Sequence, residues 1–221
     1  MVILDLENTA WDFRAARPEV ALVPLACLEP HGSHLPVGTD ALIMSAIARR
    51  VADRLSRSVF LLPVWPLGTS GEYLGQPGCV SLEYDTLWAV VGDLVRSLHA
   101  HGIRDVAVLN NLGSPMGNTV LPFGNAVVKT AVRQLNYETP GLQAIWVQPF
   151  AASRSALLEV FAAAGSGLDA RDVKVSILRH LAPGLVDGGV GDDGKGRLAL
   201  EAAASATADY VKRTLAALRE I

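Results

Sequence analysis

The feature that most constrains the fold is the recurrence of short, unbroken apolar runs, each followed by a segment with helical spacing. The runs occupy residues 20–26, 59–64, 106–109 and 144–147, and they are rich in aliphatic residues. None alternates apolar and polar residues, as a strand with one solvated face would. Strands covered on both faces have this composition. The pattern predicts an α/β protein with a mostly parallel, doubly wound sheet and helices on both faces.

Helical spacing follows the first run and recurs along the chain. Asp40 suits the N-cap of a helix along which Ile43, Ile47 and Val51 share one face. Further helices are predicted over residues 87–101, 117–136 and 196–221. No composition shift marks a linker, so we predict a single domain over residues 1–221.

Composition and charge exclude several classes of protein. The net charge is −3 and no cluster of Lys or Arg occurs, so no nucleic-acid partner is expected. No apolar run approaches the roughly 18–20 residues that span a bilayer, and residues 1–7 do not resemble a secretory leader. Cys27 and Cys79 form no disulfide framework. We therefore expect a cytoplasmic protein with no membrane partner.

Residues 25–40, LACLEPHGSHLPVGTD, carry the most informative chemistry. They follow the carboxyl end of the first long strand, where open α/β sheets bind ligands. Glu29 and His31 are two residues apart, so their side chains point the same way in extended backbone, and the chain then returns to Asp40. Two carboxylates and an imidazole suit Zn²⁺ or Mn²⁺. Spacing alone leaves open that Asp40 is only an N-cap and that the trio binds nothing.

This stretch resembles the G-S-x-E-Q-H-G-P-H-L-P-L-G-T-D motif of the creatininase family. The matching positions are Glu29, His31, Gly32, His34, Leu35, Pro36, Gly38, Thr39 and Asp40. Three further segments are similar to family motifs: residues 67–73 to G-x-S-x-E-H, residues 76–79 to F-P-G-T, and residues 101–104 to H-G-F-R. Residues 188–197 are similar to the G-x-x-G-D-P…G-R segment near the C-terminus.

The resemblance implies a three-layer α/β/α domain, usually assembled as a hexamer, that hydrolyses small cyclic or linear amides with divalent metal ions. It implies that Glu29 and His31 bind different ions, with catalytic roles, and that Asp40 bridges them. The expected partners are thus a small-molecule amide substrate and further copies of the chain. The expected cofactor is Zn²⁺ or Mn²⁺.

The sequence departs from the family motifs in the second half of the site. Where the family has N-G-H-G-G-N or N-G-H-Y-E-N, this chain has NNLGSP, which puts Leu112 at the histidine position and Ser114 at the position of the glutamate in N-G-H-Y-E-N. Residues 169–176 align with H-A-G-x-x-E-T-S and place Lys174 at its glutamate. A lysine ammonium opposes metal binding. Tyr73 replaces the histidine of G-x-S-x-E-H.

These changes leave too few ligands for two ions, since catalytic zinc typically has three protein ligands. A single ion held by Glu29, His31 and Asp40 is the alternative, with His34, Asp192 and Asp193 as further candidate ligands. We expect substrate contacts from residues around the same pocket. The candidates are His34, Glu72, Tyr73, Ser114, Trp146 and Lys174.

Three functional hypotheses follow. The first is an amidohydrolase that uses one metal ion, favoured because its most specific motif is intact. The second is a non-catalytic subunit that assembles with or regulates an active paralogue in a hetero-oligomer, suggested by Leu112, Ser114 and Lys174. The third is a binding module in which Arg171 and Lys174 face an anionic ligand.

Overall fold

A parallel sheet forms the centre of the molecule. The computed structural model describes residues 2–110, 123–161, 169–188 and 190–220. The strands are β1 (Ile3–Leu4), β2 (Val20–Leu25), β3 (Val59–Leu61), β4 (Asp105–Asn110) and β5 (Gln143–Val147). They lie in the order β1-β3-β2-β4-β5, and neighbouring strands are parallel. Each of the four apolar runs forms a strand. The two-residue β1 is too short to show a period and was not predicted.

Helices connect the strands and follow them. They are α1 (Ala10–Ala16), α2 (Thr39–Ala52), α3 (Tyr84–Ala100), α4 (Phe123–Glu138), α5 (Pro149–Ala152), α6 (Arg154–Phe161), α7 (Ala170–Leu181) and α8 (Asp193–Leu218). Helix α4 occupies the described part of the helix predicted over residues 117–136. Short helices such as α1, α5 and α6 show little periodicity and were not predicted. Among the described helices, none is both long and apolar enough to cross a bilayer.

Alternate side chains of each central strand pack into two separate cores. In β2, Val20 and Leu22 join a core with α2, α7 and α8, whereas Ala21 and Val23 join a core with α3 and α4. Because both faces of the sheet are covered, the strands need apolar residues at every position. The predicted α/β/α arrangement in three layers is confirmed.

The order of the strands places a crevice at the carboxyl end of β2. The chain leaves β2 for α2 on one face of the sheet and leaves β4 for α4 on the other. Neighbouring strands whose connections diverge in this way leave room for a ligand between them. Residues 26–40 lie at this point, while residues 111–122, which follow β4, fall outside the described part of the chain.

Helices α7 and α8 approach each other closely beside the crevice. At Gly196, a Cβ atom would lie 1.9 Å from the carbonyl oxygen of Ser176. Only glycine permits this backbone approach. Ser176 and Lys174 belong to the same helix. The contact therefore fixes where α7 lies against α8, and with it the position of Lys174.

Candidate metal centre

The segment after β2 is held by backbone contacts. Leu28 forms an antiparallel bridge with Val80, and the Glu29 amide donates to the Val37 carbonyl over 3.2 Å. Gly32 then turns the chain with a φ of +78°, a conformation that glycine adopts without steric cost. These contacts bring the chain from Glu29 back to the start of α2.

Asp40 does not cap α2, and the prediction of its N-cap role was wrong. The helix is preceded by Gly38, and Asp40 lies in its first turn. A carboxylate remains favourable there because the helix N-terminus carries partial positive charge. Residue spacing could not distinguish an N-cap from a first-turn residue, because a carboxylate suits both positions. In the structure the Asp40 carboxylate pairs with Lys174 on another helix.

The three predicted metal ligands converge. One donor atom from each of Glu29, His31 and Asp40 lies within 4.8 Å of the others. Both carboxylate residues are 8% exposed. His31 Nε2 lies 3.8 Å from Asp40 Oδ1, too far for a hydrogen bond, and this buried nitrogen has no hydrogen-bond partner among the described residues. A buried nitrogen without a partner is available to a ligand.

The surroundings set the protonation of the trio. Burial, reinforced by the Lys174 ammonium and opposed by Asp40, lowers the pKa of His31 to about 4, so its imidazole is neutral near pH 7. Burial, followed by the charge of Asp40, raises the pKa of Glu29. Two ionised carboxylates that are both largely buried require a cation nearby.

Lys174 supplies such a cation from α7. Its Nζ lies 2.7 Å from Asp40 Oδ1 and 4.0 Å from Glu29 Oε1. Burial lowers the pKa of this lysine, but Asp40 and then Glu29 outweigh it, and the pKa lies above its usual value. Lys174 is therefore an ammonium paired with the Asp40 carboxylate and close to that of Glu29.

The donor set fits one divalent ion. Two carboxylates and a neutral imidazole with a free nitrogen match Zn²⁺ or Mn²⁺ chemistry, and three protein ligands leave a position open, as in catalytic zinc sites. Within the described ranges the cluster contains no fourth His, Cys, Asp or Glu. The other candidate ligands have different roles: Asp192 caps α8, Asp193 pairs with His180 over 3.0 Å, and His34 is exposed.

A cavity of about 370 Å³ opens beside the trio. Its walls are formed by Glu29, Pro30, His31, Gly32, Leu35, Glu72, Tyr73, Gln76, Ala170, Arg171 and Lys174. The volume suits a small ligand. Three of the six predicted substrate-contact residues, Glu72, Tyr73 and Lys174, thus line this cavity.

Two other predicted contacts, His34 and Trp146, lie elsewhere. His34 and Trp146 are not among the residues that line the cavity. Trp146 donates from Nε1 to Asn110 Oδ1, and the Lys129 ammonium lies 5.6 Å from the centre of its ring. Ser114 and Leu112 lie outside the described residues.

Ser70 belongs to the site but was not predicted from the sequence. Its Oγ donates to Glu29 Oε2 over 2.7 Å, and its amide donates to Ser81 Oγ over 2.9 Å. Ser70 is fully buried. A signal was present, because Ser70 is the serine of the segment that resembles G-x-S-x-E-H.

Comparison with known proteins agrees with the fold and the motifs. Over 101 residues the chain is 35% identical to a creatinine amidohydrolase of Pseudomonas putida, covering 43% of this chain and 38% of that protein. Over 172 residues it is 31% identical to a mycofactocin precursor peptide peptidase of Mycobacterium ulcerans (strain Agy99), covering 75% and 59%. The chain therefore spans roughly two-fifths to three-fifths of these relatives.

Solved structures share the architecture over nearly the whole chain. A structure described as "Creatininase Mn" superposes with a TM-score of 0.75 at 21% identity and covers 95% of this chain and 97% of its own. A Zn–Zn form of a creatininase variant gives 0.73 at 22% identity, with 95% and 97% covered. Finally, the creatininase family profile, described as creatinine amidohydrolase, matches residues 7–214. The chain belongs to the creatininase family.

Proposed function

We propose that this protein hydrolyses a C–N bond of a small cyclic or linear amide, with one Zn²⁺ or Mn²⁺ ion held by Glu29, His31 and Asp40. One observation carries the proposal: three donor groups converge within 4.8 Å beside a cavity, and one of them is a neutral imidazole with an unpartnered buried nitrogen. This is the donor set of a catalytic divalent ion with an open position.

The roles of the protein groups follow from their surroundings. A divalent ion bound here would polarise an amide carbonyl and lower the pKa of a water molecule towards ~7. Ser70 Oγ donates to Glu29 Oε2 and so holds the carboxylate in one orientation. Because Glu29 is a proposed ligand of the ion, we propose Glu72, a second carboxylate in the cavity wall, as the group that takes up a proton and returns it to the leaving amine.

The cavity supports a small substrate with polar groups. Glu72 and Arg171 give it an acidic and a basic wall, and Tyr73 adds a hydroxyl. The descriptions of the relatives, an amidohydrolase and a peptide peptidase, both denote cleavage of C–N bonds. We therefore propose a small amide, or the end of a short peptide, as the substrate class.

The other hypotheses have less support. The relatives named above are described as enzymes, which gives no support to a non-catalytic subunit. The Lys174 ammonium is paired with Asp40, which weakens its use as an anion-binding group in a binding module. A homo-oligomer, a hexamer by resemblance, remains a prediction, as does the cytoplasm as location; light scattering would distinguish the homo-oligomer from a monomer that needs an active paralogue.

The test starts from chelator-treated protein reloaded with Mn²⁺ or Zn²⁺. We expect one ion per chain by elemental analysis, and metal-dependent hydrolysis within a panel of creatinine, formamides and short peptides, followed as ring opening of creatinine or as release of an amine and an acid from the linear amides. His31→Ala should lose both the ion and the hydrolysis. His101→Ala, which changes an exposed histidine after α3, should keep both. No metal uptake by the wild type, together with no hydrolysis, would contradict the proposal.

A further inference from the structure

We infer that Lys174 is a built-in cation that takes the place of one divalent ion beside Glu29 and Asp40, so that the chain binds one ion and not two. The inference rests on the proposed function only in its claim that the remaining ion binds.

The first support is geometric. Lys174 Nζ lies 2.7 Å from Asp40 Oδ1, the same oxygen that lies 3.8 Å from His31 Nε2. The ammonium thus uses a donor atom of the trio itself. Its side chain is 12% exposed, and the Gly196 contact with the carbonyl of Ser176 fixes α7, so the ammonium is not a surface group that swings away freely.

The second support is the count of charges. As metal ligands, two carboxylates contribute −2 and a neutral imidazole contributes nothing, and the Lys174 ammonium adds +1, so the cluster carries −1 before an ion binds. One divalent ion would bring the cluster to +1. A second would bring it to +3 beside carboxylates that are only 8% exposed, where like charges repel more strongly than in bulk water. The lysine therefore permits one ion and opposes two.

The third support is the cost of buried carboxylates. Charged groups removed from water must be paired, and breaking a buried pair destabilises a protein. In metal-free protein, Lys174 is the cation that pairs with Asp40. The ammonium would therefore stabilise the buried positions of the Asp40 and Glu29 carboxylates before any ion binds.

The experiment counts Mn²⁺ ions on the purified full chain by elemental analysis after equilibration with excess Mn²⁺. We expect at most one ion per wild-type chain, and one ion more in Lys174→Glu than in the wild type. Lys212→Glu makes the same charge change on the exposed face of α8 and should match the wild type. Two ions in the wild type, or no gain in Lys174→Glu, would overturn the inference.

A second arm uses stability, so that a poorly folding Lys174→Glu leaves the question answerable. Without metal, Lys174→Met should lower the Tm by roughly 10 °C, as expected for breaking a buried charge pair in a chain of this size, and Lys174→Arg should lose less. Added Mn²⁺ should raise the Tm of Lys174→Met by more than that of the wild type. If Lys174→Met fails to fold while Lys174→Arg folds, the loss of stability is larger than expected and supports the inference. Equal Tm values for Lys174→Met and the wild type would overturn the inference.

The outcomes separate the two proposals. A wild type with no ion and no hydrolysis contradicts the proposed function, yet the gain of one ion in Lys174→Glu would still support Lys174 as the resident cation. Conversely, hydrolysis with two bound ions supports the proposed function and overturns the role of Lys174.

Discussion

Ser70 Oγ donates a hydrogen bond of 2.7 Å to Glu29 Oε2, joining the loop after β3 to the segment after β2. Both residues are buried, and 41 positions separate them in the chain. Hydrogen bonds to charged groups are stronger than those between neutral groups. The bond therefore fixes the orientation of a carboxylate on which the proposed metal site depends.

Ser70→Ala should weaken Mn²⁺ binding about 10–100-fold, because partners of ligand side chains have effects of that size. It should also lower the free energy of unfolding by about 1.5–3 kcal/mol, because a buried charged acceptor loses its donor. Calorimetric titration and urea unfolding measure the two effects. Ser45→Ala, on the exposed side of α2, is the matched control and should change neither. An unchanged Mn²⁺ affinity in Ser70→Ala would contradict this role.

Asp40→Asn should destabilise the metal-free protein by about 3–5 kcal/mol, because it leaves the Lys174 ammonium buried without its closest partner. Urea unfolding in the presence of a chelator measures the change. Asp53→Asn removes a half-exposed carboxylate 3.7 Å from Arg49 and should cost less than about 1 kcal/mol. Similar losses in the two variants would show that Lys174 is not paired as described.

Gly196→Ala should lower the free energy of unfolding by about 1–3 kcal/mol, the usual cost of overpacking, because the new Cβ would meet the Ser176 carbonyl. It should also change the affinity for Mn²⁺, because moving α7 displaces Lys174 relative to Asp40. Gly184→Ala, where a Cβ meets no atom within 4 Å, is the control for both measurements. Wild-type stability in Gly196→Ala would rule out the close approach of α7 and α8.

The two free thiols should differ in reactivity. Burial raises the pKa of Cys27 to about 12, and its side chain is 1% exposed, so its reactive thiolate is rare at pH 8. Iodoacetamide should modify the half-exposed Cys79 first, at a rate that rises with pH because its pKa is also raised, while Cys27 reacts only in urea. Peptide mass spectrometry measures both rates. Equal rates in the native protein would contradict the burial of Cys27.

Features confined to one segment were predictable. The apolar runs fixed four strands to within a few residues, because a strand covered on both faces must be apolar throughout. The convergence of Glu29, His31 and Asp40 was also predictable, because all three lie within one short stretch whose turns are set by its own glycines and prolines. The cap of α2 was predicted wrongly, because a carboxylate at a helix start suits both the N-cap and the first turn.

The sequence by itself therefore determined the α/β class, the family and the three candidate ligands. Only the tertiary structure decided that Lys174 lies against Asp40 and that Ser70 lies against Glu29. The first pair spans α2 and α7, and the second joins two loops, so each depends on how distant segments pack. Residue spacing along the chain does not determine how far apart these side chains lie. The packing of the helices on the sheet, including the close approach of α7 and α8 at Gly196, determines it.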